Sequence, residues 1–148
     1  MDVNAITDLL NPTAALYLTV ALLILFVGKW INDLLTPYQL EEQLTVVDNK
    51  AVAVSLSGYL FGLGIILWGV LVSPSDIGGS GDFRRDLMTD LASTAIWGVV
   101  GIILLQIARI INNRLLLPEF DIVKELVEDR NVGAGAVQCG SYVGSALM

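Results

Sequence analysis

Four long stretches of this chain contain no charged residue. They are residues 14–28, 51–72, 91–108 and 132–148. The apolar character of the first stretch resumes beyond Lys29. A helix that spans a bilayer needs roughly 20 predominantly apolar residues, with a range of about 17–25. Charged residues make up 16% of the chain, against about 25% in a typical soluble domain. The stretches therefore predict an all-α integral membrane protein with four transmembrane helices, of which the fourth only just qualifies.

A pattern of residues occurs twice along the chain. Each copy has a proline, a short polar connector, an asparagine, and an uncharged segment that opens with small residues. A spacing of 82 residues pairs Leu44 with Leu126, Asn49 with Asn131, Ala51 with Gly133, Gly58 with Gly140, and Gly62 with Gly144. Pro37 and Pro118 are one residue out of step, which indicates a short insertion. The pattern predicts one membrane domain, 1–148, made of duplicated helical hairpins at about 13–72 and 86–148.

The positive charges predict the orientation, because lysine and arginine are enriched in cytoplasmic loops. The connectors and their flanks contain Lys29, Lys50, Arg109, Arg114, Lys124 and Arg130. The opposite side of the membrane would have only two basic residues, Arg84 and Arg85. It would hold the N-terminal tail and the glycine-rich loop around 78–81. We therefore expect cytoplasmic connectors and an external N-terminus. The hairpins would then be parallel repeats, with their two glycine-faced helices facing each other.

Small residues at helical spacing mark a predicted packing seam on the second and fourth helices. The seam consists of Ala51, Ser55, Gly58, Gly62, Gly133, Gly140 and Gly144. Burial alone does not drive helices together in lipid, whereas glycine permits close backbone approach. The seam favours packing within one subunit; the alternative is that part of it forms a subunit interface or lines a narrow path.

Polar residues near the membrane are few, and most have two interpretations. Asp86 and Asp90 lie one turn apart at the start of the third helix. They fit a cation entry site, or a solvated helix N-terminus stabilised by the helix dipole. Asn49 and Asn131 fit helix N-caps, or a paired cytoplasmic docking surface. Gln106 is expected to form a hydrogen bond between helices.

The composition argues against several classes of function. The chain has no histidine and one cysteine, Cys139, so a zinc site and an internal disulfide are not expected. No cofactor site and no catalytic set of side chains is recognisable. The net charge of −7 argues against a nucleic-acid partner. Cys139 is expected to be a small buried filler.

The repeated motifs also resemble a known family. They are Thr36-Pro37, residues 48–53, Ser57-Gly58-x-x-x-Gly62, Leu117-Pro118 and Asn131-x-Gly133-Ala134-Gly135. In these motifs the chain resembles the YjfL-like inner-membrane proteins, which carry the domain of unknown function 350. The resemblance implies a small bacterial inner-membrane protein associated with envelope maintenance, and it supplies no substrate, cofactor or catalytic residue. It also implies a longer fourth helix, so we expect either a cut chain or a helix that ends within the membrane.

Abundant packing motifs and scarce chemistry favour a non-enzymatic membrane component. In this hypothesis the protein self-associates in the bilayer, or anchors partners as a subunit of a larger membrane complex. The alternative is an ion or small-solute channel or transporter subunit, with the small-residue seam as its path and the two aspartates at its mouth.

Overall fold

The described part of the chain is entirely helical. The structure is a computed structural model and describes residues 12–72, 81–113 and 121–148. These ranges form the helices α1 (Pro12–Leu35), α2 (Leu40–Thr45), α3 (Lys50–Val72), α4 (Phe83–Ile111), α5 (Ile122–Val127) and α6 (Val132–Ala146), and they contain no strand. The predicted N-terminal tail, most of the glycine-rich loop, Arg114 and Pro118 lie outside these ranges.

Three of the six helices, α1, α3 and α4, are long and apolar enough to cross a membrane. The sequence predicted a fourth span, and α6 does not meet this measure. It begins at Val132 as expected but contains only 15 helical residues, which rise about 22 Å at 1.5 Å per residue. That length is short of the ~30 Å hydrocarbon core. The fold is therefore that of an all-helical membrane protein with three candidate spans among its described residues.

Helix α3 lies at the centre of the molecule, and its most extensive contact is with α6. The two helices approach closely because glycine lies at the contact on both sides. A Cβ atom built on Gly58 would overlap the Cα atom of Cys139, and one built on Gly135 would overlap the carbonyl oxygen of Ala51. Cys139 thus fills the space that Gly58 leaves, as a small packed side chain.

Helix α4 docks on α1 and α3 through two further glycines. The side chain of Ile24 on α1 occupies the space above Gly98, and the side chain of Ile66 on α3 occupies the space above Gly101. Where the helices meet, the rings of Tyr59 and Tyr142 form an edge-to-face pair with centroids 5.4 Å apart. This aromatic pair and the leucines and isoleucines around it form the central core.

The two connectors have the same local structure. Helices α2 and α5 have equal length, and α5 begins 82 residues after α2, which is the spacing of the sequence pattern. In each connector, one residue between the short helix and the long helix has a positive φ angle. The angle is 52° at Asp48 and 48° at Arg130. This left-handed conformation is uncommon for residues other than glycine. Its occurrence at equivalent positions reflects the same chain reversal between a short helix and a long one.

The hydrogen bonds of the connectors correspond as well. The backbone N–H of Asn49 donates to the carbonyl oxygen of Gln43 over 2.8 Å, and that of Asn131 donates to the carbonyl oxygen of Glu125 over 2.8 Å. The side-chain amides repeat the pairing, at 2.8 Å for Asn49 with Gln43 and 2.9 Å for Asn131 with Glu125. Each long helix of the pair α3 and α6 is therefore entered through the same hydrogen-bonded turn.

Candidate functional site

Polar side chains from four helices gather inside the bundle at its connector end. Between α4 and α1, Nε2 of Gln106 donates to Oδ1 of Asn32 over 3.4 Å. One turn further on, the guanidinium of Arg109 donates to Oγ1 of Thr36 over 3.1 Å. Gln106 thus makes the hydrogen bond between helices that the sequence predicts. Arg109 was noticed in the sequence only as an orientation signal.

The same polar cluster continues between α3 and α6. The hydroxyl of Ser55 donates a short hydrogen bond to Oε1 of Gln138, and both residues are buried. Nearby, the hydroxyl of Tyr59 donates to the carbonyl oxygen of Gly28 on α1 over 3.0 Å. Lipid offers no hydrogen-bond partners, so polar groups in such a bundle must find them in neighbouring helices. These bonds tie α1 and α6 to the central helix.

A small cavity lies within this cluster. Its free volume of about 10 Å³ holds roughly one water molecule. The lining residues are Asn32, Thr36, Tyr38, Leu40, Val52, Ser55, Leu56, Arg109, Gln138 and Tyr142, and none of them is acidic. Burial raises the pKa of Tyr38, and the positive charge of Arg109 partly opposes that rise. The cavity therefore has one cationic group, Arg109, among neutral polar and apolar side chains.

The two predicted glycine faces do not face each other. The α3 face packs against α6, where the Cβ position of Gly62 lies 3.1 Å from the carbonyl oxygen of Tyr142. On α6 the residues at this contact are Gly135, Gln138, Cys139 and Tyr142.

The predicted seam residues of α6 lie on its other face. Gly133, Gly140 and Gly144 are exposed, and open space surrounds the Cβ positions of Gly140 and Gly144. This face, with Val137, is called the open glycine face below. The sequence predicted a packing seam on this face, but no described residue packs on Gly140 or Gly144. Glycine spacing carries no information about which neighbour occupies a face.

Both asparagines of the connectors cap a long helix. Oδ1 of Asn49 accepts hydrogen bonds from the backbone N–H groups of Ala51 and Val52. Oδ1 of Asn131 accepts from Gly133 and Ala134 in the same way. Only Asn49 is buried. Its side-chain amide also donates to the carbonyl oxygen at the end of α5 over 2.7 Å, which joins the two connectors.

The acidic start of α4 contains a helix cap and a contact between helices. Asp82 caps α4, with its carboxylate accepting from the N–H of Arg84. The hydroxyl of Tyr17 on α1 donates to the Asp90 carboxylate over 3.2 Å. Asp86 lies in the first turn of α4. Within residues 12–72, 81–113 and 121–148, no three acidic or sulfur-containing side chains are grouped as a metal site would require.

The apolar spans and their buried polar cluster define a polytopic helical membrane protein. The chain belongs to the family described as Domain of Unknown Function (DUF350), whose family model matches residues 4–148. The family resemblance seen in the connector motifs is thereby confirmed.

A curated relative supports the same class. The chain is 24% identical over 133 residues to a UPF0719 transmembrane protein of Aquifex aeolicus (strain VF5), a match that covers 90% of this chain. It covers 46% of the relative, so the chain spans about half of that protein's length. No solved structure matches the chain.

Proposed function

We propose that this protein is a non-enzymatic component of the bacterial inner membrane that assembles with further copies of itself. The observation that carries the proposal is the open glycine face of α6. Its equivalent on α3 is packed against a helix within the chain, whereas the face on α6 has no neighbour among the described residues. Glycine faces are where membrane helices approach each other closely.

The contact between α3 and α6 serves as a template for the contact between copies. Within the chain, Gly58 of α3 packs on Cys139 of α6. Moving each residue to its equivalent, 82 positions away, pairs Gly140 of one copy with Ser57 of another. Ser57 is exposed on α3, so it is available for such a contact. Two hairpins of one origin would then use the same pair of faces within a chain and between chains.

At this second contact an apolar pair of residues replaces a polar pair, which suits a contact within lipid. The buried polar pair of Ser55 and Gln138 becomes Val137 of one copy against Leu56 of the next. No polar group then requires a partner across the interface. A contact between two different faces is heterologous, and repeated contacts of that type form a closed ring or an open chain. This arrangement would be the sheet-like or ring-like assembly of a membrane scaffold.

The protein would have a defined orientation in the membrane and partners on one side of it. We place the connectors in the cytoplasm and the N-terminus outside, because the connectors and their flanks hold most of the lysine and arginine. Helix α6 would enter the membrane from the connector side as a fourth, short span, parallel to α3. The acidic connectors would be available to anchor cytoplasmic proteins, in keeping with a role in envelope maintenance.

Cysteine cross-linking tests the assembly directly. In a Cys139→Ala background, Ser57→Cys and Gly140→Cys are introduced together and oxidised in native membranes. We expect disulfide-linked dimers and higher multiples. In the template the corresponding Cβ positions lie 2.6 Å apart, so the two helices need to separate by only about 1–2 Å to reach the spacing of a disulfide. The matched control is Phe61→Cys with Gly140→Cys, because Phe61 is an exposed residue one turn from Ser57.

The single variants decide between modes of assembly. Gly140→Cys alone forms no dimer if the contact is heterologous. Dimers of Gly140→Cys alone would show two α6 faces meeting symmetrically, which keeps self-association and refutes the template. Absence of cross-links in every combination, together with a monomeric particle mass in detergent, would refute self-association through this face.

A channel or transporter subunit is the second candidate function. It is favoured by the polar cluster inside the bundle, because ionisable and polar groups within membrane helices commonly line transport paths. Asp86 and Asp90 would form the cation mouth at the opposite end. Potassium flux into liposomes that contain the purified protein should then fall in the Asp86→Asn, Asp90→Asn double variant. Flux equal to that of empty liposomes would eliminate this candidate.

A further inference from the structure

The cavity at the connector end presents hydrogen-bond donors that have no acceptor. Nε2 of Gln138 and the hydroxyl of Tyr142 form no hydrogen bond with any residue in the described ranges, although both side chains are only 3% exposed. The guanidinium of Arg109 has five N–H donors, and within the described ranges it donates one hydrogen bond, to Oγ1 of Thr36. Gln138 and Tyr142 are buried and Arg109 is half-buried, so their free donors face the cavity and bind the acceptor that enters it, whether a water molecule or a ligand oxygen.

The charge of the cavity selects the kind of partner. Arg109 is the only charged residue of the lining, and it makes no ion pair with the described residues. A guanidinium with free N–H groups in a fixed fork matches the oxygens of a phosphate group. The surrounding phenol and amide donors add neutral hydrogen bonds to the same acceptor. A phosphate oxygen is therefore the acceptor that fits this donor set.

The location of the cavity favours a phosphate that belongs to a lipid. Arg109 and Thr36 lie at the ends of α4 and α1, which are two of the candidate spans. A groove of about 420 Å³ adjoins the cavity, and Thr36 and Tyr38 line both. Trp30 and Leu34 add exposed apolar surface to this groove. A headgroup phosphate and its glycerol backbone have this same polar-to-apolar order.

We propose that the connector end of the bundle is a binding site for a phospholipid. One phosphate oxygen enters the cavity and accepts hydrogen bonds from Arg109, Gln138 and Tyr142. The glycerol and the start of an acyl chain lie along the groove beside Trp30. The cavity has room for only one oxygen atom, so the rest of the phosphate lies outside it. Asp33 lines the groove but not the cavity. It would therefore lie beside the remainder of the headgroup.

The test compares a phospholipid with the same diacylglycerol without its phosphoglycerol headgroup, and with phosphate alone. Purified full-length protein in dodecyl maltoside is titrated with dioctanoyl phosphatidylglycerol, with dioctanoylglycerol, and with inorganic phosphate, at constant ionic strength. A ligand that binds the folded state raises the unfolding temperature, and above its Kd the rise grows with the logarithm of the ligand concentration. We expect a rise that grows with the logarithm of the phospholipid concentration, and none with dioctanoylglycerol. An equal rise with inorganic phosphate would keep the anion site and identify free phosphate as its ligand.

Variants locate the response. Arg109→Gln should abolish the rise over the same range of concentrations, and Arg84→Gln, a charge change at the opposite end of α4, should leave it intact. Because Arg109→Gln removes part of the polar cluster, Tyr142→Phe is the milder variant, and it should weaken binding about tenfold. The proposal is overturned if dioctanoylglycerol acts as well as the phospholipid. It is equally overturned if both Arg109→Gln and Tyr142→Phe respond like the unmodified protein.

Discussion

The two connectors have the same hydrogen bonds and the same turn, yet they differ in burial. Asn49 is 1% exposed and bonds to the carbonyl oxygen of Leu126, whereas Asn131 lies on the surface. The helices that follow differ in the same way, because the glycine face of α3 is packed and that of α6 is open. Equivalent residues thus have the same local role but different tertiary contacts. Substitutions made in pairs, one in each half, separate these contributions.

The glycines provide the largest expected contrast. Gly58→Leu would drive a side chain into the backbone at Cys139, and overpacking of this kind costs about 3 kcal/mol. Gly140→Leu meets open space within the chain, so no overpacking is expected, and the higher helix propensity of leucine should stabilise the subunit by up to about 1 kcal/mol. Unfolding by sodium dodecyl sulfate in mixed micelles measures both.

The same two variants separate folding from assembly. If copies associate through the open glycine face, Gly140→Leu reduces the mass of the detergent-solubilised particle while the folded subunit keeps its stability. Equal destabilisation by both leucines would mean that the two faces are packed alike, contrary to the structure.

The asparagine pair comes next. Loss of an N-cap costs about 1 kcal/mol, and this is the whole effect expected for Asn131→Ala. Asn49→Ala also leaves the buried carbonyl oxygen of Leu126 without a donor, so its expected cost is about 2–3 kcal/mol. Denaturant titration of both variants gives the difference directly. Indistinguishable costs would show that the bond between the connectors contributes nothing to stability.

The sequence predicted the elements of this fold better than their partners. The charge-free stretch at 51–72 fixed α3 almost to the residue, because charged groups are excluded from spanning helices. The capping asparagines were recognisable because their role is local. The 15 helical residues of α6 are fewer than its apolar stretch suggested. A count of apolar residues does not reveal where a helix ends.

The polar cluster illustrates what sequence reasoning missed. Thr36 and Arg109 are 73 residues apart, and nothing local in either segment indicates that the ends of α1 and α4 meet. The packing of α3 on α6 was predicted, but the face of α6 that lies there was not. The face of α6 that packs there brings Gln138 to Ser55, and that pairing depends on the rotation of α6 about its axis. Rotation of this kind is set by tertiary packing and leaves no periodic trace in the sequence.

The pair of Ser55 and Gln138 gives a smaller effect. Hydrogen bonds between membrane helices are worth about 0.6 kcal/mol on average, and at most about 2. Ser55→Ala should therefore destabilise the protein by about 1 kcal/mol, while the equivalent change Val137→Ala should act mainly on assembly. A double-mutant cycle with Gln138→Leu isolates the coupling, and a coupling energy of zero would mean that the bond is not formed in the bilayer.

The turn residues give the smallest effect and the strictest comparison. Asp48 and Arg130 both have positive φ angles, at which glycine is relieved of a strain of roughly 1 kcal/mol. Glycine also increases the entropy of the unfolded chain, so Asp48→Gly and Arg130→Gly should each stabilise the protein by only a few tenths of a kcal/mol. Because this strain is local, the two gains should agree even though the asparagines beside them differ in burial. Gains that differ by as much as the two asparagine variants do would show that the turns themselves, and not only their surroundings, differ between the halves.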